Sequence, residues 1–154
     1  MRKSILILLL LNALCLMAQN SKLQIENNWI NLTKQKGKYV LLYPCYSEIS
    51  QIKINWEQKT ITINYGQEDD VFKILNSKKV SDKEQEFNVL YSTFGNPRET
   101  VVKVKFTNLE KKIAEWSFTL TDDSGNELKN IYTMIPVQMS RYYQKIKEPC
   151  NGGM

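Results

Sequence analysis

From Tyr39 onward the chain alternates apolar and polar residues with a period of two, and no long stretch keeps the 3.6-residue period of an amphipathic helix. The pattern predicts a β protein. Its clearest hairpin sets Ile52, Ile54 and Trp56 on one face against Ile61, Ile63 and Tyr65, with Lys53, Asn55, Thr62 and Asn64 on the other face and Glu57-Gln58-Lys59 turning between them. The same reading places strands at 38–43, 71–75, 87–92, 101–107, 113–121 and 128–135. Turn chemistry separates them: Gly95-Asn96-Pro97 precedes Val101, and Asp122-Asp123-Ser124-Gly125-Asn126 follows the Trp116, Phe118, Leu120 strand. Residues 76–85, rich in lysine, read as a mobile loop or a single helical turn. Helix is credible at 23–32 and at 137–146, where Met139, Tyr142, Tyr143 and Ile146 fall at helical spacing, and a final strand at 137–146 is the close alternative. Residues 151–154 are expected to fray.

About eight short strands with short links and no βαβ rhythm predict an all-β antiparallel meander, and closure into a barrel removes the exposed edges that an open sheet would leave. A β-sandwich is the alternative. An eight-stranded barrel can hold one small ligand or be filled by its own side chains.

Residues 1–18 have another grammar. Arg2 and Lys3 precede an apolar run from Ile5 to Leu11, and Leu16-Met17-Ala18 offers a cleavage site, after Ala18 or Gln19. This is the form of a secretory signal peptide, and the run is short for a membrane span. Residues 19–154 then form a single β domain of about 136 residues with a short C-terminal tail. The expected location is secreted or periplasmic; a lipid anchor on Cys15 is the alternative, against which Leu14 stands where a lipobox has a small residue. Losing Arg2 and Lys3 lowers the formal charge of +5 by two, and the remaining lysines are scattered, so no nucleic-acid partner is implied. Processing also leaves Cys45 and Cys150 as an even pair in an oxidising compartment, which predicts a disulfide between them. Both follow proline, where a strand ends.

Trp29, the segment Tyr39-Val40-Leu41-Leu42-Tyr43-Pro44-Cys45, the 52–65 hairpin, Trp116 and the closing Lys145-Ile146-Lys147-Glu148-Pro149-Cys150 resemble small uncharacterised exported proteins of Bacteroidetes bacteria. That resemblance implies export and brings no chemistry. An early Trp before an antiparallel meander is similar, distantly, to lipocalins, which implies a lipocalin-like barrel; the Gly-x-Trp signature is absent, since Asn27-Asn28 precede Trp29.

The chain has no histidine, which excludes Ser-His-Asp and Cys-His catalysis and His-ligated metal sites in their usual forms. The carboxylate groups Glu68-Asp69-Asp70 and Asp122-Asp123 read as turns, the latter without EF-hand spacing. No enzyme, cofactor or metal is therefore expected. Trp56, Tyr65, Phe87, Tyr91, Phe106, Trp116 and Phe118 fall on inward faces, as the filled core of any half-buried sheet requires; lining a cavity for an apolar ligand is the rarer use of such residues. The leading expectation is non-catalytic binding of a small apolar ligand inside the barrel, with Trp56, Phe106 and Trp116 as its ligand-binding residues. The alternative is a protein-interaction module, an inhibitor or accessory subunit of an envelope complex, using Arg141, Tyr142 and Tyr143. No stable transmembrane segment is expected after cleavage.

Overall fold

A computed structural model describes residues 25–93, 96–121 and 124–150. The expected signal peptide, Cys15 and the expected frayed tail at 151–154 lie outside the described residues. The described residues form eleven strands: β1 (Asn28–Asn31), β2 (Thr33–Gln35), β3 (Lys38–Tyr43), β4 (Gln51–Asn55), β5 (Thr60–Asn64), β6 (Asp69–Ser81), β7 (Glu84–Thr93), β8 (Asn96–Asn108), β9 (Ile113–Thr121), β10 (Glu127–Pro136) and β11 (Lys145–Lys147). A short 3₁₀ helix, Val137–Tyr142, links the last two. Eight strands close an antiparallel barrel in the order β1-β10-β9-β8-β7-β6-β5-β4, with β1 pairing back onto β4. The remaining three form a small sheet, β11-β3-β2, in which β11 and β3 run parallel.

Side-chain alternation explains both layers. Trp29, Ala114 and Met134 point into the barrel core, whereas their chain neighbours Ile30, Ile113 and Ile135 point outward. Those outward residues would be wet on a bare barrel. Here they form a second core with Leu32, Leu41 and Ile49, flanked by Tyr43, Met139 and Tyr143, so the small sheet and the 3₁₀ helix cover the outer face of β1, β9 and β10. The Cys45–Cys150 disulfide, with Cα atoms 5.3 Å apart, ties the segment after β11 to the segment after β3 across 105 residues.

Three expectations are corrected. The eighth barrel strand is β1 and not the 38–43 strand: with Trp29 and Ile30 buried on opposite faces, β1 has no polar side and carries no period-two signal. Residues 76–85 are neither loop nor helix. They form the arm of the β6–β7 hairpin, where a bulge between Ile74 and Asn76 shifts the register and the mostly exposed side chains pair by charge. Glu86 there receives Lys78 at 3.3 Å and Lys103 at 2.8 Å, which holds its carboxyl below the usual range. Residues 137–146 divide between the 3₁₀ turn and β11.

Two turns at one end of the barrel share a construction. In Asn55-Trp56-Glu57-Gln58-Lys59 and Asn108-Leu109-Glu110-Lys111-Lys112, the Asn Oδ1 accepts from the backbone N–H three residues on, at 3.0 and 2.8 Å. Each ends on a left-handed lysine, with φ of 52° and 51°. We call this end the base. Ile25 is buried there in the barrel core, the Glu26 carbonyl accepts from Trp29 Nε1 at 2.6 Å, and Lys112 Nζ meets Glu26 Oε1 at 2.7 Å.

Candidate functional site

The barrel axis is occupied by rings. Trp29, Trp116, Phe72, Phe87 and Phe118 are each less than 2 % exposed. Their centroids make a continuous chain, with Trp29–Trp116 at 5.5 Å, Phe87–Trp116 at 6.5 Å, Trp116–Phe118 at 6.4 Å and Phe72–Phe118 at 5.3 Å. These are contact distances for stacked and edge-on pairs.

The three residues expected to bind a ligand occupy different positions. Trp116 lies at the centre of this chain, and its Nε1 is buried with no hydrogen-bond partner. Phe106 is buried deeper toward the base, 5.8 Å from Trp29. Trp56 has the inward parity expected of it but sits past the end of β4 on the base rim, 44 % exposed. Its ring rests 6.0 Å from Phe87, and its Nε1 donates to Asn27 Oδ1 at 2.8 Å. Trp29 joins Phe106 to Trp116 and Phe87 joins Trp56 to it, so the three form parts of one aromatic core.

At the opposite end, the mouth, phenols replace hydrocarbons. Tyr65 stands 6.3 Å from Tyr132 and donates to Asp70 Oδ2 at 2.9 Å. Burial, and then hydrogen bonding to Asp70 and Tyr132, pushes the Tyr65 phenol far above its ordinary range. Tyr91 OH accepts from the Thr121 N–H at 2.8 Å, and the Thr121 carbonyl accepts from Arg98 at 2.7 Å. A shallow depression of about 400 Å³ opens beside Tyr65, lined by Tyr46, Ser47, Gln67 and Glu68. Gly66 lets the 47–48 segment approach the β5–β6 turn: its φ is +97°, and a Cβ there would stand 2.7 Å from the Glu48 carbonyl oxygen.

A second depression, of about 390 Å³, lies outside the barrel where the 3₁₀ helix faces the β8–β9 turn. Met139, Tyr142 and Tyr143 form its apolar side, and Glu110 and Lys111 its charged rim. Pro136 enters the 3₁₀ turn, and its missing N–H suits a position where the barrel ladder stops. Tyr142 is 64 % exposed, and Arg141 lies over its ring at 4.8 Å while donating to its hydroxyl at 2.8 Å. Tyr143 is more buried than Tyr142, and burial raises its phenol. The spacing of Met139, Tyr142 and Tyr143 pointed to this face; its far wall, from the β8–β9 turn, is remote in sequence and carried no signal.

Among the described residues, no group of three or more Cys, Asp or Glu is placed to hold a metal ion, and no helix is long and apolar enough to cross a membrane. The chain matches no protein-family model, no curated protein and no solved structure in the comparisons made.

Proposed function

We propose that this is an exported, non-catalytic binding protein that works through its outer surface as a protein-interaction module, with the Met139, Tyr142 and Tyr143 groove as its contact site. The observation that carries this reading is the aromatic packing along the barrel axis, which supports a structural role for those rings, together with an exposed Tyr142 beside the outer groove. Arg141 braces Tyr142 in one orientation, and a preordered aromatic beside an arginine is the composition of interface hot spots. The residues 1–18, read as a cleaved signal, and the Cys45–Cys150 bond support a periplasmic or secreted location.

A photo-crosslinkable residue replacing Tyr142, in protein exported by its native host, tests the reading. A discrete protein adduct, lost when Met139 and Tyr143 are both changed to serine, is expected. An absence of adducts at this position would overturn it.

One observation favours the ligand reading as a second choice. The Trp116 Nε1 donor is sealed in the barrel without an acceptor, and such groups are rare unless water or a ligand satisfies them. Under that reading the ligand presents a hydrogen-bond acceptor to Trp116 between Phe87 and Phe118. Native mass spectrometry of the mature protein separates the two: a retained small molecule supports the interior site, and an unliganded mass removes it.

A further inference from the structure

The pairing of β10 with its barrel neighbours is complete except along a seam on the mouth side of β1. That strand has four residues and β10 has ten, so β1 covers only Met134, Ile135 and Pro136. A single further bond, from the Leu32 N–H to the Thr133 carbonyl, ends the ladder before the chain turns away into β2. This bond fixes the parity. In an antiparallel pair, alternate residues direct both backbone groups to the same side, so Thr133, Ile131, Lys129 and Glu127 aim theirs at the β1 side. Leu128, Asn130 and Tyr132 bond to β9 in an unbroken register. Among the described residues nothing pairs with the β1-side groups of Glu127, Lys129 and Ile131. All three residues are exposed, and Leu128 and Ile131 expose apolar surface on the two faces of this edge, at 53 % and 56 %. Proteins ordinarily cover, bulge or shorten such an edge because it templates pairing with another chain.

The edge is complementary to itself. We propose that a second copy of this chain docks antiparallel along it, about a two-fold axis through Leu128, so that Glu127 faces Lys129 of the partner subunit and Lys129 faces Glu127 of the partner subunit. The pairing must match free groups with free groups, which restricts the register to steps of two. Shifting one way opposes Glu127 to its own copy; shifting the other way opposes Lys129 to its own copy. Only the register about Leu128 sets opposite charges across both pairs, and it lays the two Leu128 side chains together on one face. The free main-chain groups of Glu127 and Lys129 then satisfy those of Lys129 of the partner subunit and Glu127 of the partner subunit, and the sheet continues from one barrel to the next.

Sedimentation of the mature, oxidised protein over a wide concentration range tests this. A monomer–dimer equilibrium is expected. K129E alone and E127K alone should each weaken it about tenfold, because two attractive pairs become repulsive. The double variant E127K/K129E should restore it, since the exchange preserves the complementarity. All three substitutions are at exposed positions, and an unchanged thermal midpoint would show that the barrel is intact. A protein that stays monomeric throughout, a dimer indifferent to the single substitutions, or a double variant that fails to recover would overturn the proposal. So would an edge that binds an added extended peptide while the protein itself remains monomeric.

Discussion

Two side chains are held in environments that ought to show in simple measurements. Trp116 gains from burying its ring but loses from an N–H that has exchanged water for nothing, a penalty of about 1–3 kcal/mol. W116F keeps most of the ring and removes the unpartnered donor, so it should cost less than about 1.5 kcal/mol in denaturant unfolding, whereas W116A should cost about 3–5. A W116F cost as large as that of W116A would show that Nε1 has a partner and would favour the interior site. Tyr65 is held neutral in the folded protein to a pH at which the unfolded chain would ionise it. Its folded pKa lies above the unfolded value, so its contribution is fully present below about pH 10 and fades as pH rises beyond that. Stability of the wild type should therefore fall with a steeper alkaline slope than that of Y65F, as measured by unfolding at a series of pH values. Both tyrosine parity and tryptophan parity were readable as inward-facing. What each nitrogen or hydroxyl meets across the barrel was not, because Asp70 and Tyr132 reach Tyr65 from strands that alternation places only one at a time.

Among the elements, the ones the pattern predicted best are those with one dry and one wet face. β4 and β5 alternate cleanly and lie where expected, and β9 does so from Ala114 onward, past the Ile113 that enters the second core. The misread elements break that condition in opposite directions: β1 is dry on both faces, and the arm of β6 is wet on nearly all of its length. Period-two analysis is silent about both. The Asn-x-Glu-x-Lys turns at 55–59 and 108–112 emerge as a pair only in the structure, where each ends on a left-handed lysine. The turn between β5 and β6 gives a sharper test. Asn64 Oδ1 accepts from the Gly66 N–H at 2.8 Å, and the backbone of residues 47–48 lies against Gly66. G66A must relieve a clash with backbone atoms while holding φ near +97°, so it should destabilise by about 1–3 kcal/mol. A neutral G66A in thermal or denaturant unfolding would show that the 44–50 segment is not seated on this turn.

For the molecule as a whole, the stability of the second layer depends on a covalent tie. Closing a loop with a sequence separation of 105 contributes about 4–5 kcal/mol in the chain-entropy model. Replacing Cys45 and Cys150 with serine should lower unfolding stability by up to that amount, and hydrogen exchange should accelerate first in β3 and β11 while barrel amides stay protected. Uniform acceleration across the barrel would mean that the two layers unfold as one unit. The barrel class and the pairing of the cysteines were legible because each follows from local pattern and count. The two-layer arrangement was not, since nothing along the chain says that Ile30, Ile113 and Ile135 will meet Leu41. The position of the bond also bears on timing. Cys150 follows β11, the last strand among the described residues, so all of these strands are synthesised before the partner of Cys45. Until then Cys45 cannot make its native bond, and its thiolate can exchange with a passing disulfide to form a mixed disulfide; the Cys45–Cys150 bond closes only once both β3 and β11 are present.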